Sequence, residues 1–221
     1  MIKALIAVRS GSERVKNKNI RAFADSSLLE IKIKQLLRIQ CLDGIVVNSN
    51  DPAMLALAAK YHCETIRRAP YFAAATTSMS DVYADMAQNF PGDYIVYCNV
   101  TNPLIEDATI EKAVTMFQTL KKEHVSVNTA HLIREFMYMN GRAINYDPRN
   151  QPRSQDLPDV FALNFAVNVI SKTDMIGARN IICPDHLLLP VNEIEATDID
   201  SELDFTIAEF LYKRKIGERT C

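Results

Sequence analysis

The sequence predicts an α/β fold, a doubly wound and mostly parallel sheet that carries a β-hairpin arm. Three observations predict it. The short apolar runs KALIAV (3–8), GIVVNS (44–49) and DYIVYCNV (93–100) have the pattern of strands buried on both faces. Segments with apolar residues at helical spacing lie between them, so strand and helix alternate through about the first 130 residues. Beyond that point FMYMNGRAINY (136–146) sets Asn-Gly between two mixed apolar runs, a strong local signal for a hairpin.

The elements follow in chain order. After the first strand comes a polar turn, AVRSGSERVKNKN (7–19), and then SLLEIKIKQLLRIQ (27–40), whose apolar spacing predicts a helix. The helix expected at 51–61 opens with Asp51 as cap and Pro52 in its first turn, and the one at 107–120 opens on Asp107. The hairpin leads into a proline-spaced loop or arm, DPRNQPRSQDLPD (147–159). An apolar strand, VFALNFAVNVIS (160–171), resumes at once, so 147–159 does not read as a linker between domains. SELDFTIAEFLYKRK (201–215) is a closing helix with Ser201 as cap.

Composition narrows the function. The chain has 221 residues, 48% of them hydrophobic, enough for one substantial core. Its formal net charge of -2 provides no basic field for nucleic acid or an anionic membrane. The opening apolar stretch is too short for a secretory signal and no segment is apolar for long enough to span a bilayer, so the expectation is a cytoplasmic protein. Cys41, Cys63, Cys98, Cys183 and Cys221 form no C-x-x-C pair and are expected to be core thiols. His62, His124, His131 and His186 stand apart, with neither triad nor zinc spacing.

The charge is sorted by segment. Lys3, Arg9, Arg14, Lys16, Lys18 and Arg21 stand against Glu13 alone, whereas 180–212 holds no Lys or Arg and crowds Glu193, Glu195, Asp198, Asp200, Glu202 and Asp204 together. A basic turn after the first strand of an α/β sheet lies where such folds bind ligands, and Gly11 lets exposed backbone N–H groups approach phosphate there. The plain alternative is a solvated loop at a sheet edge. Neither G-x-G-x-x-G nor G-x-x-x-x-G-K-[ST] occurs, which removes the usual support for a dinucleotide oxidoreductase or a P-loop NTPase. Asp198 and Asp200, spaced by two in an extended stretch, would face one side while Ile199 faces the core, a donor pair that suits Mg²⁺ bridged to phosphate. The plain alternative here is a set of acids that favours the dipole of the following helix.

Six segments, in order, resemble the CMP-sugar synthetases, the cytidylyltransferases that activate sialic acids and related eight- or nine-carbon keto-sugar acids. RSGSERVKNKN resembles R-x-G-S-K-x-x-x-x-K-N at Arg9, Gly11, Ser12, Lys18 and Asn19. NSNDP (48–52) and TTSMSDV (76–82) resemble the segments after the second strand and ahead of a helix. NVTNPLI (99–105) is similar to Q-P-T-S-P-L at Thr101, Pro103 and Leu104. PRSQDLPDVFALNFAV (152–167) keeps Arg153, Gln155, Leu157, Pro158 and Asn164, and TDIDSELDF is similar to D-I-D-x-x-x-D-[FL]. The departures are Glu13 where the family carries lysine, Val15 and Lys16 in place of its proline surroundings, Asn99 for glutamine and Phe165 for glycine.

The resemblance implies a Rossmann-like nucleotidyltransferase domain over 1–221, with 131–160 as an inserted dimerisation arm in a homodimer. The implied reaction joins CMP from CTP to a sugar acid with Mg²⁺ and releases pyrophosphate, for surface polysaccharide. It places Arg9 and Lys18 on the triphosphate with the backbone around Gly11 and Ser12, and Asn19, Ser80 and Asn99 along the nucleotide. Arg153, Gln155 and Asn164 would meet the acceptor, and Asp198 and Asp200 the metal. Two other readings stay open: a non-catalytic binding homologue with Glu13 in its phosphate loop, and a nucleotidyltransferase that uses another NTP.

Overall fold

The computed structural model describes residues 1–12, 14–120 and 122–219. The three apolar runs form strands where expected: Ile2–Ala7 (β1), Ile45–Ser49 (β2) and Tyr94–Cys98 (β4), with Glu64–Arg67 (β3) added beside β2. Leu28–Leu36 (α1) follows β1, and Ser27 Oγ caps it by accepting from Glu30 N. Pro52–Lys60 (α2) is capped by Asp51, which accepts from Ala53 N and Met54 N at 2.8 and 3.3 Å. Pro70–Ala73 (α3) is one short turn, and Met79–Gln88 (α4) is capped by Ser78.

The helix expected from Asp107 is Asp107–Thr119 (α5), but Asp107 does not cap it. Glu106 holds the cap position without a side-chain bond, and the N-terminus is served from far along the chain. The buried Glu195 carboxylate accepts from Glu106 N at 3.1 Å and Thr109 Oγ1 at 2.5 Å. Asp107 instead accepts from Gln35 and Arg38 of the α1 region.

Val125–Ile133 (β5) runs to the edge of the sheet, where the chain leaves for the arm. There Tyr138–Met139 (β6) and Arg142–Ala143 (β7) form the expected hairpin as a separate two-stranded sheet. Asn140 and Gly141 both have positive φ, 52° and 76°, as a two-residue turn that follows strand twist demands. His131–Ile133 belong to β5, so the arm proper begins later than the sequence indicates. A 3₁₀ turn, Ser154–Asp156, precedes Val160–Ser171 (β8). Lys172–Ala178 (α6), Asp185–Val191 (β9) and Glu202–Arg219 (α7) complete the chain.

The main sheet has the order β3-β2-β1-β4-β8-β5-β9. Its pairings are parallel except those of β8, which runs antiparallel to β4 and β5. The exception follows from the arm: β5 ends at the carboxyl edge of the sheet, so the strand that returns from there must run the other way. One face packs residues of α1, α2, α5 and α7 into the larger core, and the other packs α4 and α6. Helices on both faces make the sheet doubly wound. Cys63, Cys98 and Cys183 are buried as expected, Cys41 is exposed, and Cys221 lies outside the described residues. No helix among the described residues is long and apolar enough to cross a membrane.

One surface cluster ties α1 to α2. Glu30 accepts from Ser26 Oγ at 2.8 Å and from the Tyr61 hydroxyl, and pairs with Lys34 at 2.8 Å. The Lys34 ammonium, then the two hydroxyls, hold its carboxyl at about 2, below the usual 4.5. A depressed folded-state pKa stabilises above the unfolded value, and that contribution disappears as pH falls through the folded one. Glu30→Gln is therefore expected to lower the urea midpoint relative to wild type at pH 7, with the gap closing between about pH 4.5 and 2.

Candidate functional site

The polar turn after β1 is anchored before it is functional. Val15 and Phe23 are fully buried, each worth about 1.5–3 kcal/mol relative to exposure, and they hold the loop down at both ends. Phe23 meets Phe205 of α7 edge-on at 5.2 Å, and Arg21 lies 3.7 Å over the Phe205 ring while forming a bidentate pair with Glu202. These contacts bring the basic loop of the N-terminal region against the start of the last helix.

Within the loop, Asn19 donates to Arg9 O at 3.1 Å and is buried, and Asn50 Oδ1 accepts from Ser10 N at 3.1 Å. Gly11 sits at φ +80°, and an added Cβ would meet only Arg9 Nη1, at 4.0 Å, so its need is conformational. Gly11→Ala is expected to cost about 1 kcal/mol in urea unfolding. Arg9 reaches across to Ala73 O at 3.3 Å.

A cavity of about 380 Å³ opens here, lined by Arg9, Ser12, Arg14, Lys18, Asn19 and Asn99 with Thr101 and Ala75. It lies at the carboxyl ends of β1 and β4, the side where open α/β sheets take ligands.

The acidic segment lies behind this lining, joined to it through Lys18, Arg14 and Thr101. Ile199 is fully buried while Asp198 and Asp200 keep faces open to solvent, the alternation the sequence implies. Ile199 N donates to Thr101 O at 3.0 Å, and the Thr101 side chain hydrogen-bonds Asp198. Lys18 Nζ donates to Ile199 O at 2.5 Å and stands 3.9 Å from Asp200 Oδ1; Arg14 pairs with the same oxygen at 2.8 Å. Burial pushes the Lys18 ammonium below its ordinary pKa against the pull of Asp198 and Asp200. Burial likewise raises the Asp198 carboxyl, with neighbouring Asp200 adding to the rise and Thr101 opposing it.

The charged runs thus divide. Arg9, Arg14 and Lys18 face the cavity, whereas Lys3 pairs with Glu64 and Arg21 with Glu202. Asp204 serves the start of α7, accepting from Asp200 N, Ser201 N and Ser201 Oγ, with Ser201 capping as expected. Glu195 caps α5, which leaves Asp198 and Asp200 as the pair beside Lys18. Two carboxylates on one side of an extended stretch fit an octahedral Mg²⁺ that draws its other ligands from water and phosphate. Among the described residues no group of three or more His, Cys, Asp or Glu forms an all-protein cage.

Other expected residues sit elsewhere. Ser80 is exposed in the first turn of α4 and is not part of the cavity lining, to which that region contributes Ala75. Arg153 pairs with Asp156 at 2.6 Å in the exposed arm, with Gln155 exposed beside it, and neither lines the cavity within this chain. Asn164 is buried: its Oδ1 accepts from Thr129 Oγ1 at 2.6 Å and Ala166 N at 3.1 Å, which sets a bulge in β8, and its Nδ2 has no partner. Phe165, beside it, takes φ +55°, so the backbone demand that glycine meets in the resembled motif persists under a bulky side chain. Glu13 lies outside the described residues. The sequence reading missed Arg68, which is buried, donates to Asn48 Oδ1 at 2.6 Å and is close enough to Arg9 for the two cations to repel. Arg67 stands next to it, and nothing local says which of the two turns inward.

Residues 3–156 match the family described as Cytidylyltransferase. The chain belongs to that family. As a cytidylyltransferase-family member it is a nucleotidyltransferase, and curated relatives extend the likeness over nearly its whole length. It is 27% identical over 227 residues to post-translational flagellin modification protein B of Campylobacter coli, covering 97% of this chain and 96% of that one. It is 25% identical over 231 residues to pseudaminic acid cytidylyltransferase of Campylobacter jejuni, covering 95% of each. The fold matches the solved structure of CMP:2-keto-3-deoxy-manno-octonic acid synthetase complexed with CTP at a TM-score of 0.72 and 12% identity, over 97% of this cytidylyltransferase and 99% of that chain.

Proposed function

We propose that this cytidylyltransferase joins CMP from CTP to a keto-sugar acid of the sialic-acid kind and releases pyrophosphate. The observation that carries the reading is the meeting of two remote segments beside one cavity: Lys18, which lines it from the loop after β1, bonds Ile199 O and approaches Asp200. Charge neutralisation and placement, more than covalent chemistry, are what phosphoryl transfer asks of a protein.

Arg9, Arg14 and Lys18 then bind the triphosphate with the backbone N–H groups around Gly11 and Ser12, and Asn19 keeps that loop in shape. Asn99, at the end of β4, lines the nucleotide side. Asp198 and Asp200 would hold Mg²⁺, which would supply Lewis-acid neutralisation of phosphate charge. The acceptor's anomeric oxygen attacks the α-phosphorus, its proton passes to solvent, and pyrophosphate leaves. Arg153 and Gln155 reach an acceptor through the arm, which we assign to a homodimer. Its exposed Tyr138, Met139 and Ile144 are the apolar and aromatic residues that interfaces favour. The relatives' names, with a flagellin modification protein and a pseudaminic acid cytidylyltransferase among them, support a place in surface glycan synthesis.

The test is pyrophosphate release from CTP and Mg²⁺ with sialic acid, pseudaminic acid and 2-keto-3-deoxy-manno-octonic acid, alongside calorimetry with CTP, GTP, UTP and ATP. Release with any of these acids, and with CTP above the other nucleotides, is expected. Absence of both release and CTP binding would mark a protein that keeps the fold without the reaction. Tighter binding of another nucleotide would assign Asn99, in place of the usual glutamine, to a different base.

A further inference from the structure

Lys32 is the most completely buried charged side chain among the described residues, at 0% exposure in the middle of α1. Its Nζ donates to Gln35 Oε1 at 2.8 Å and to Asn102 O at 3.1 Å, both neutral acceptors. A buried ammonium without a bonded carboxylate is an expensive way to fill a core, and a methionine of similar shape would avoid that desolvation. Burial lowers its pKa to about 8, with Lys215 adding repulsion and Cys98 and Asp107 opposing it.

What the ammonium touches gives the cost a purpose. Asn102 follows Thr101 in the turn after β4, and its Nδ2 donates to Thr197 O at 3.2 Å. Thr101 binds Asp198 through its side chain and Ile199 N through its carbonyl. Gln35, one turn along α1, fastens the next stretch of the same loop through Ile105 O at 2.7 Å. The segment 197–200 is therefore held from two directions, by Lys18 on the cavity side and by the 101–102 turn on the core side, and Lys32 fixes that turn from below.

We infer that Lys32 is a positioning residue that sets the conformation of the Asp198–Asp200 segment through Asn102, and so the affinity of that pair for a divalent cation. The part concerning cation affinity rests on the function proposed above, whereas the mechanical link from Lys32 to 197–200 does not.

The test compares full-length wild type with Lys32→Met and Asn102→Ala. Amide hydrogen exchange is read across the chain, thermal midpoints are recorded, and Mn²⁺ alone is titrated by electron paramagnetic resonance. Lys32→Met is expected to keep or raise the midpoint, because a buried charge is removed, while exchange accelerates at Ile199 and its neighbours and not in the strands. Mn²⁺ affinity falls about tenfold, the usual scale for loss of a group that orients a ligand. Asn102→Ala, which cuts the tie to Thr197, changes exchange and Mn²⁺ binding in the same direction. Wild-type exchange at 197–200 in both variants would overturn the inference, as would a lowered midpoint with faster exchange spread over the whole core. Wild-type protein that shows the exchange link but binds neither Mn²⁺ nor CTP would instead count against the proposed function, and with it the cation-affinity part of the inference.

Discussion

Asp198→Asn is expected to cut pyrophosphate release by about 10²- to 10³-fold, the scale on which a lost charge-stabilising group is felt in a transition state. The substitution keeps the shape and the Thr101 hydrogen-bonding position but removes the negative charge that a divalent cation requires, so Mn²⁺ binding should fail in parallel. Asp200→Asn should reduce turnover similarly yet behave differently toward the nucleotide. Asp200 pairs with Arg14 at 2.8 Å and stands 3.9 Å from Lys18. On the proposed function those cations would bind the triphosphate, and Asp200 would serve the divalent cation. Neutralising Asp200 frees the cations in advance, so metal-free CTP binding should hold or tighten while catalysis falls. Asp204→Asn is the control: its carboxylate accepts from Asp200 N, Ser201 N and Ser201 Oγ at the start of α7, so the loss belongs to stability, about 1 kcal/mol. Turnover falling as far in Asp204→Asn as in Asp198→Asn would deny the Asp198–Asp200 pair its special standing.

The parts of the fold that were legible in the sequence are those whose stability is local or uniformly apolar. β1, β2 and β4 are buried on both faces and read as continuous apolar runs, α1 announces itself by its apolar spacing and α2 by its Asp51 cap. β5 was not legible because Ser126, Asn128 and Thr129 interrupt its apolar pattern, and two of their partners come from afar. Cys183 N bonds Ser126 Oγ, and Asn164 Oδ1 receives Thr129 Oγ1. The edge strands β3 and β9 are mostly exposed and carry little periodic signal. Lys32 shows the same limit inside a helix that was legible. A lysine at that spacing reads as solvated, and only the turn after β4, packed beneath the cavity, turns it inward.

The site was legible as charge and not as assignment. Two clusters of opposite sign were plain, yet which members face a ligand depended on tertiary partners. Glu195 is consumed by α5, Glu202 by Arg21 and Asp204 by its own helix, leaving Asp198 and Asp200 beside Lys18. Arg153 and Gln155 were read from a motif, and within one chain they lie in the arm, away from the cavity lining. In the proposed homodimer they would act across a subunit boundary, where a residue has no local signature because its counterpart is absent from its own surroundings.

Lys18→Met should raise the KM for CTP by about 10- to 100-fold, since one charge-assisted contact to phosphate in a partly enclosed site is worth about 1.5–3 kcal/mol. Two properties of Lys18 make the loss larger than that of an ordinary loop lysine. Its side chain is only 13% exposed, so its field on a bound phosphate is weakly screened. It also ties the loop after β1 to Ile199 O at 2.5 Å, so its removal loosens the Asp198–Asp200 segment as well as deleting a cation. The two contributions separate by ionic strength. The wild-type KM for CTP should climb with added salt as the cationic wall is screened, and in Lys18→Met that slope should flatten because one of the cations is gone. Lys16→Met is the comparison, an exposed lysine of the same loop outside the cavity lining, and its KM and salt slope should stay near those of wild type. A Lys18 variant as salt-sensitive as wild type, with CTP bound equally well, would mean that the ammonium serves only to bond Ile199 and that the triphosphate lies elsewhere.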